Sequence, residues 1–239
     1  MDRRMIVLGI DTSTTQTSVA LGTERGTLAS LGFAGPARRD AVVPALDHLL
    51  SWSGLELSQV GGIAVGLGPG LFTGLRVGVV TAKTLAQVLT APIVGIPSLD
   101  ALAFRVRHTG RLIGAVIDAR RGEVFYAFYR PVPGGVFREG NQQVGSPEHL
   151  AADLEALGED VLLVGNGAIL YGHGLETAGS GVELASPAEA YPPAPALVEL
   201  AIPRFLREEQ DRLTELVPLY LRRSDAEIAW DQRRRGASA

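Results

Sequence analysis

Two segments of this 239-residue chain bring together residue types that can handle a phosphate. The first is Asp11-Thr12-Ser13-Thr14-Thr15, between an apolar run from Ile6 to Ile10 and a second strand-like run from Thr17 to Gly22. In a turn between strands, backbone N–H groups and hydroxyls can cradle a phosphate while a carboxylate holds a magnesium-bound water. The same residues also suit a plain hairpin turn whose Asp and Thr side chains bond their own backbone, and no glycine opens it for a ligand. The second segment is Gly68-Pro69-Gly70-Leu71-Phe72-Thr73-Gly74-Leu75-Arg76-Val77-Gly78, placed between an apolar strand and a helix. Its glycines demand a backbone path that side chains would block. A phosphate loop at a helix start is one use of such a turn. A tight connection that brings helix and sheet together is the other, and the Gly-Lys-Ser/Thr ending of a P-loop is missing.

Other catalytic equipment is sparse. The histidines His48, His108, His149 and His173 are scattered, with no i, i+4 pair that could bind zinc. No G-x-S-x-G elbow surrounds a serine, so Ser-His-Asp chemistry has no visible engine. Asp118 could act as a general base, but Arg120 and Arg121 beside it equally suit an ion-paired turn. The chain has no cysteine, which excludes disulfides, thiolate metal sites and cysteine nucleophiles and fits a reducing, cytoplasmic setting.

These residues need a scaffold, and the hydrophobic pattern supplies one. Ile6 to Ile10 reads as a core strand buried on both faces. Thr17–Gly22 and Thr27–Ala34, joined by a polar turn at Thr23-Glu24-Arg25-Gly26, complete a three-stranded antiparallel opening. A helix capped by Asp40 should run to Trp52, with Pro44 tolerated in its first turn. Then come a strand at Gly62–Leu67, a helix from Leu75 to Thr90, a strand at Pro92–Ile96 and a helix capped by Ser98 through Arg105. This alternation predicts an α/β sheet. A second lobe should start near His108, with strands at Leu112–Ile117 and Glu123–Tyr129 about an Arg120-Arg121-Gly122 turn. After these the pattern predicts a helix at Pro147–Ala156, a strand at Val161–Val164, a Gly-, Ser- and Pro-rich stretch from Gly172 to Pro195, and a closing helix at Leu197–Glu209. The expected organisation is a first lobe over 1–107, a smaller second lobe over 108–217, and a terminal segment over 218–239.

Composition narrows the partners. With 22 Lys and Arg against 26 Asp and Glu, the net charge of −4 offers no global basic field for nucleic acid. Apolar runs stop well short of the ~20 residues a membrane helix needs. The arginines of Gln232-Arg233-Arg234-Arg235 form a basic tail, which reads as solvated. In the helix after the glycine segment, Gly74, Gly78, Ala82 and Ala86 recur every four residues and form a smooth groove where another helix can approach. That helix is either this chain's own or another subunit's.

Taken together, Leu8-Gly9-Ile10-Asp11-Thr12-Ser13, the G-P-G-x-F-T-G-x-R run from Gly68 with Lys83 beyond it, Gly95-Ile96-Pro97-Ser98-Leu99, Ile117 to Val124 and Pro218-Leu219-Tyr220-Leu221-Arg222 resemble the TsaB (YeaZ) family, collinearly over about residues 5–223. The resemblance implies a two-lobed actin-like ATPase fold (ASKHA, RNase H-like) with a reduced second lobe. It also implies a non-catalytic subunit that pairs with TsaD, which installs N6-threonylcarbamoyladenosine in tRNAs reading codons that begin with A. TsaD-like proteins bind metal through H-x-x-x-H, and the corresponding Arg38-Arg39-Asp40-Ala41-Val42 has no histidine. An Arg-Glu-His-Ser/Thr pattern common in the family reads Ala37-Arg38-Arg39-Asp40 here. Ala119-Arg120-Arg121-Gly122 corresponds to a second phosphate turn that the arginines would obstruct, and Val164-Gly165-Asn166-Gly167-Ala168 to a remnant adenosine loop.

On that reading the chain has no catalytic residue, metal or cofactor of its own. Its partner surface is expected on the first two helices, at Val42, Leu46, Leu49, Phe72, Thr73, Gly74, Arg76, Gly78, Ala82, Lys83 and Ala86. A vestigial nucleotide site is expected at Asp11, Thr12, Ser13, Gly68 and Gly70. The implied partners are a TsaD-like subunit, a TsaE-like ATPase and, when alone, a second copy, with tRNA contacted through the complex. The alternatives are an independent ATP-using phosphotransferase or ATPase of the same fold, and a metal-dependent protease, for which no ligand set is visible.

Overall fold

A computed structural model describes residues 5–35, 41–179 and 181–222. Arg38, Arg39, Asp40 and the basic tail lie outside the described residues. The chain folds into two five-stranded sheets of the same design. The first comprises β1 (Ile6–Asp11), β2 (Gln16–Thr23), β3 (Gly26–Ala34), β4 (Val60–Gly66) and β5 (Ile93–Ile96), in the order β3-β2-β1-β4-β5. The second comprises β6 (Leu112–Arg120), β7 (Glu123–Val132), β8 (Gly135–Gly145), β9 (Val161–Val164) and β10 (Val182–Leu184), in the order β8-β7-β6-β9-β10. In each, three antiparallel strands open the sheet, one further strand joins the first of them in parallel, and a last strand pairs in parallel with that one. The second half thus repeats the topology of the first, as its strand–turn–strand opening suggested.

β1 is central because its side chains serve both faces. Leu8 and Ile10 join the cluster under α1 (Val42–Ser53) and α2 (Phe72–Leu89), while Val7 joins the opposite cluster. α1 starts after Ala41, which supplies no side-chain cap, and stops at Gly54, whose φ of 63° lets its N–H close on Leu50 and Ser51. Pro44 falls in its first turn, where a missing donor costs little.

The other face of the first sheet is covered by α6 (Ala194–Leu206), whose Leu197, Val198, Ala201 and Phe205 pack with Val7, Ala20, Ala64 and Val94. This corrects the expected second lobe of 108–217, because the closing helix has returned to the first sheet. α3 (Ser98–Arg105) lies between the sheets: Ala101 and Phe104 belong to the first lobe's core, Leu99, Leu102 and Ala103 to the second's. α4 (Pro147–Leu157) and α5 (Asn166–Leu175) cover the far face of the second sheet. Both sheets carry five strands, so the second lobe is reduced only in its helical cover. β8 and α5 were not foreseen, since polar and glycine-rich stretches hide their periodicity.

α2 begins at Phe72 rather than Leu75, which puts Gly74 in its first turn. A Cβ on Gly74 would collide with the Thr12 carbonyl oxygen, and one on Gly78 with Thr12 Oγ1. Ala82 and Ala86 are buried in the same core as Val42, Leu46 and Leu49. The small-residue stripe and the apolar row of α1 therefore face this chain's own sheet, and the expectation that they line a partner groove is corrected. Periodicity identified the buried faces correctly. It could not say which neighbour buried them. Each of those leucines contributes roughly 1.5–3 kcal/mol to the monomer by leaving water.

Gly78→Leu should therefore lower the melting temperature of the isolated chain, with overpacking costing at least about 1–3 kcal/mol. Thermal unfolding monitored by circular dichroism tests this, and an unchanged melting temperature would return the stripe to the surface.

Candidate functional site

The two candidate phosphate segments meet. Asp11, at the end of β1, is only 1% exposed. Its Oδ1 accepts hydrogen bonds from the Ser13 N–H at 2.9 Å and the Ser13 hydroxyl at 2.7 Å, and its Oδ2 accepts from the Ser98 hydroxyl at 2.8 Å. Ser98 Oγ in turn accepts from the Gly68 N–H at 3.2 Å, while the Ser98 N–H donates to the Gly68 carbonyl at 2.7 Å. Ser98 does not cap its helix through its side chain, as the sequence suggested; it links α3 to the glycine loop and to Asp11.

The glycine loop is seated on the Asp11–Ser13 turn. The Leu71 N–H donates to the Ser13 carbonyl at 2.7 Å, and the Thr12 hydroxyl to the Gly74 carbonyl at 2.7 Å. A Cβ on Gly66 would strike Asp11 Oδ2, and one on Gly70 would strike the Ser13 carbonyl oxygen. Gly68 adopts φ 92°, a left-handed conformation that favours glycine. Close backbone approach thus explains the glycines, and what approaches is this chain's own turn. Asp11, Thr12, Ser13, Gly68 and Gly70 are brought together. Burial pushes the Asp11 carboxyl above its ordinary range, against the lowering effect of its hydroxyl and amide donors. Both of its oxygens already hold donors from the chain, which leaves it poorly placed to meet a solvent-borne metal.

The second lobe holds the matching turn. Asp118 Oδ1 accepts from the Arg120 N–H at 2.8 Å, and the Arg120 guanidinium lies 3.4 Å from Oδ2. Arg120, Arg121 and Gly122 all have positive φ, so the turn closes on itself. The Asp118 N–H donates to Asn166 Oδ1 at 3.2 Å, and Gly165 and Gly167 leave no room for a Cβ where α5 begins against β6. Among the described residues, no group of three or more His, Asp or Glu could hold a metal.

A third polar cluster went unrecognised in the sequence. The Tyr129 phenol, 1% exposed on β7, donates to Asp100 Oδ1 on α3 at 2.7 Å, and Arg138 on β8 reaches the same oxygen at 3.2 Å. Burial pushes Asp100 up, as it does Tyr129. The cluster pins α3 to the second sheet. Nothing in the spacing of residues 100, 129 and 138 announces it.

Of the residues expected at a partner surface, Thr73 and Arg76 are exposed and Phe72 is half-buried beneath the Arg76 guanidinium. Lys83 donates to the Leu216 carbonyl at 3.2 Å. Along α2 the exposed residues are Thr73, Arg76, Val80, Thr84, Gln87 and Val88, and one row of them runs Thr73, Val80, Thr84 and Val88, with Val80 62% and Val88 71% exposed. Thr84 turns its hydroxyl onto the Val80 carbonyl, so that row presents mainly apolar surface.

The family described as "TsaD: tRNA N6-adenosine threonylcarbamoyltransferase" matches residues 33–230. The "tRNA threonylcarbamoyladenosine biosynthesis protein TsaB" of Haemophilus influenzae is 32% identical over 240 residues, covering 95% of this chain and 97% of that protein. The chain belongs to the TsaB family. The Escherichia coli TsaB is 32% identical over 157 residues, 64% of this chain and 68% of that protein. "YeaZ from Pseudomonas aeruginosa" superposes with a TM-score of 0.77 at 30% identity, over 91% of this chain and all of that one. The "(R)-2-hydroxyglutaryl-CoA dehydratase component A" of Acidaminococcus fermentans reaches a TM-score of 0.52 at 13% identity over 84% of this chain and 98% of its own, and shares the fold alone. The fold is the two-lobed actin-like one that the TsaB resemblance implied.

Asp11→Ala removes the acceptor of three donors and should destabilise the chain by about 2–4 kcal/mol, since each buried donor left unsatisfied costs roughly 1–3 kcal/mol. Its pH dependence has a definite sign. Unfolded Asp11 ionises near 3.8 while the folded carboxyl holds its proton to higher pH. Its contribution to stability is therefore fully present below that value and is lost as pH rises through the folded pKa. Urea unfolding of the wild-type chain and Asp11→Asn across the acidic range should differ by this slope, and parallel curves would refute it.

Proposed function

We propose that this chain is a non-catalytic subunit that pairs with a TsaD-like catalytic subunit for formation of N6-threonylcarbamoyladenosine in tRNA. The observation that carries the reading is the seating of the Gly68–Gly74 loop on the Asp11–Ser13 turn, in a member of the TsaB family. The turn that would cradle a phosphate is instead closed against its own chain, and Arg120 is paired with Asp118 in the other lobe. Asp11, Thr12, Ser13, Gly68 and Gly70 then form a vestigial nucleotide site whose surviving role is structural.

The partner surface in this reading is the outer side of the first two helices. Val43 and Trp52 of α1 and Val80 and Val88 of α2 are large apolar side chains left in solvent, while the inner rows of both helices hold the monomer together. Apolar surface without a covering element is where association is favoured. When the partner is absent, the same surface is available to a second copy. Contact with tRNA and with a TsaE-like ATPase comes through the complex, in the cytoplasm. Among the described residues no helix is long and apolar enough to cross a membrane.

The test pairs binding with stability. Val80→Asp and Val88→Asp should weaken binding to a TsaD-like subunit by at least roughly tenfold, the scale of a buried interface contact. The melting temperature should hardly move, because substitutions on an exposed face usually stay within ±0.5 kcal/mol. Titration calorimetry alongside thermal unfolding reads both quantities, and unchanged affinity would remove α2 from the interface. The rival reading, an independent ATP-using enzyme, requires metal-stimulated ATP turnover by the purified chain. None above background is expected, and steady turnover lost in a folded Asp11→Asn variant would favour the rival.

A further inference from the structure

The chain passes between its two sheets more often than its topology requires. It leaves the first sheet after α3, enters β6 at Leu112, returns after β10, and seats α6 on the first sheet. Those two crossings complete both lobes. A third follows, in the segment Asp211–Arg222, which has no helix or strand of its own.

This segment first lies along the free edge of β5. The Asp211 N–H donates to the Ile93 carbonyl at 2.9 Å, and its carboxylate accepts the Gly95 N–H at 2.7 Å and pairs with Arg204 at 3.1 Å. Leu216 is buried in the core under α2. The Leu219 N–H then donates to the Leu67 carbonyl at 2.8 Å, immediately before the glycine loop. Tyr220 stacks on Phe72 with ring centroids 4.9 Å apart, and its hydroxyl accepts from Arg76 Nε at 3.2 Å. The next residues reach the other lobe. Leu221 packs on the second lobe's core, and Arg222 donates to Glu123 Oε2 at 2.6 Å and to the Arg120 carbonyl at 3.4 Å. Within three residues the segment touches the start of α2 and the Arg120–Glu123 turn.

We propose that Asp211–Arg222 is an intramolecular clasp that holds the two lobes at one fixed angle, with Tyr220 and Arg222 as its positioning residues. Two covalent crossings beside a single shared helix, α3, describe a hinge with its axis at that helix, and hinged lobes move collectively on microsecond to millisecond timescales. A third tether that joins the glycine loop of one lobe to the facing turn of the other removes that freedom. Tyr220 of the clasp rests on Phe72 and Arg76 while Arg222 holds Glu123, so the clasp also fixes the start of α2 relative to the second lobe. The clasp lies within one chain and does not depend on which partner covers α1 and α2.

The absence of native cysteines makes the test direct. Single cysteines at exposed Gln87 on α2 and Glu155 on α4 carry spin labels, and pulsed electron resonance reads the distance between the lobes in the full chain. One narrow distribution is expected. Tyr220→Ala with Arg222→Ala should lose it, giving a broadened and shifted distribution while circular dichroism still reports a folded chain. Arg222→Lys, which keeps the charge opposite Glu123, should restore much of the narrow component. Deleting residues 218–239 should broaden the distribution most. If the deletion variant fails to fold, the single Arg222→Ala variant decides. A distribution unchanged by the double variant, or by Arg222→Ala in that case, would overturn the clasp.

Discussion

The structure depends on one desolvated carboxylate. Asp11 lies at the end of β1, 1% exposed and so cut off from bulk solvent, and three donors from Ser13 and Ser98 stand in for it. A buried polar group without partners is costly, so those donors must be delivered accurately. Ser98 arrives only if α3 starts where it does, and it carries Gly68 with it. Gly68 in turn sets the loop that leads into α2. Satisfying one side chain therefore positions the sheet end, the glycine loop and two helices together. Gly70 and Gly74 are required because the Ser13 and Thr12 carbonyls come too close for any Cβ, and Gly66 and Gly78 because the Asp11 and Thr12 side chains do.

This arrangement accounts for a phosphate-like motif in a chain read as non-catalytic. A strand end, a hydroxyl-rich turn and a glycine loop are parts that can surround a phosphate, and here they surround each other. The second lobe follows the same logic on an exposed turn, where Arg120 occupies Asp118 and the Arg120-Arg121-Gly122 backbone folds back on itself. In the proposed reading the surface offered to a partner is the outer faces of α1 and α2, whose inner rows are buried in the first lobe's core.

Between the lobes the contacts are mixed in character. α3 contributes apolar side chains to both cores, and the Tyr129–Asp100–Arg138 cluster adds charge-assisted hydrogen bonds across the same junction. The C-terminal segment adds a third link at a different place, through an aromatic stack on one side and an ion pair on the other. Links of such different chemistry do not weaken together as pH or salt changes, because screening acts on the ion pair and leaves the packing in place.

The sequence by itself determined much of this protein. The continuous apolar run of β1, the antiparallel opening, the alternation of strand and helix and the restart near residue 108 were legible, because burial on one or two faces imposes a period on the residues. The glycine segment was legible as a place of close approach, since glycine is retained where a side chain cannot fit. Only the tertiary structure decided what approached. The stripe Gly74–Gly78–Ala82–Ala86 has one appearance whether it meets a partner or Thr12, and the row Val42–Leu46–Leu49 reads alike against its own sheet or another subunit. Local pattern encodes that a face is buried, and the neighbour that buries it is set by contacts distant in sequence. For the same reason Ser98 read as a helix cap, and the bond from Arg222 to Glu123, 99 positions away, left no local trace.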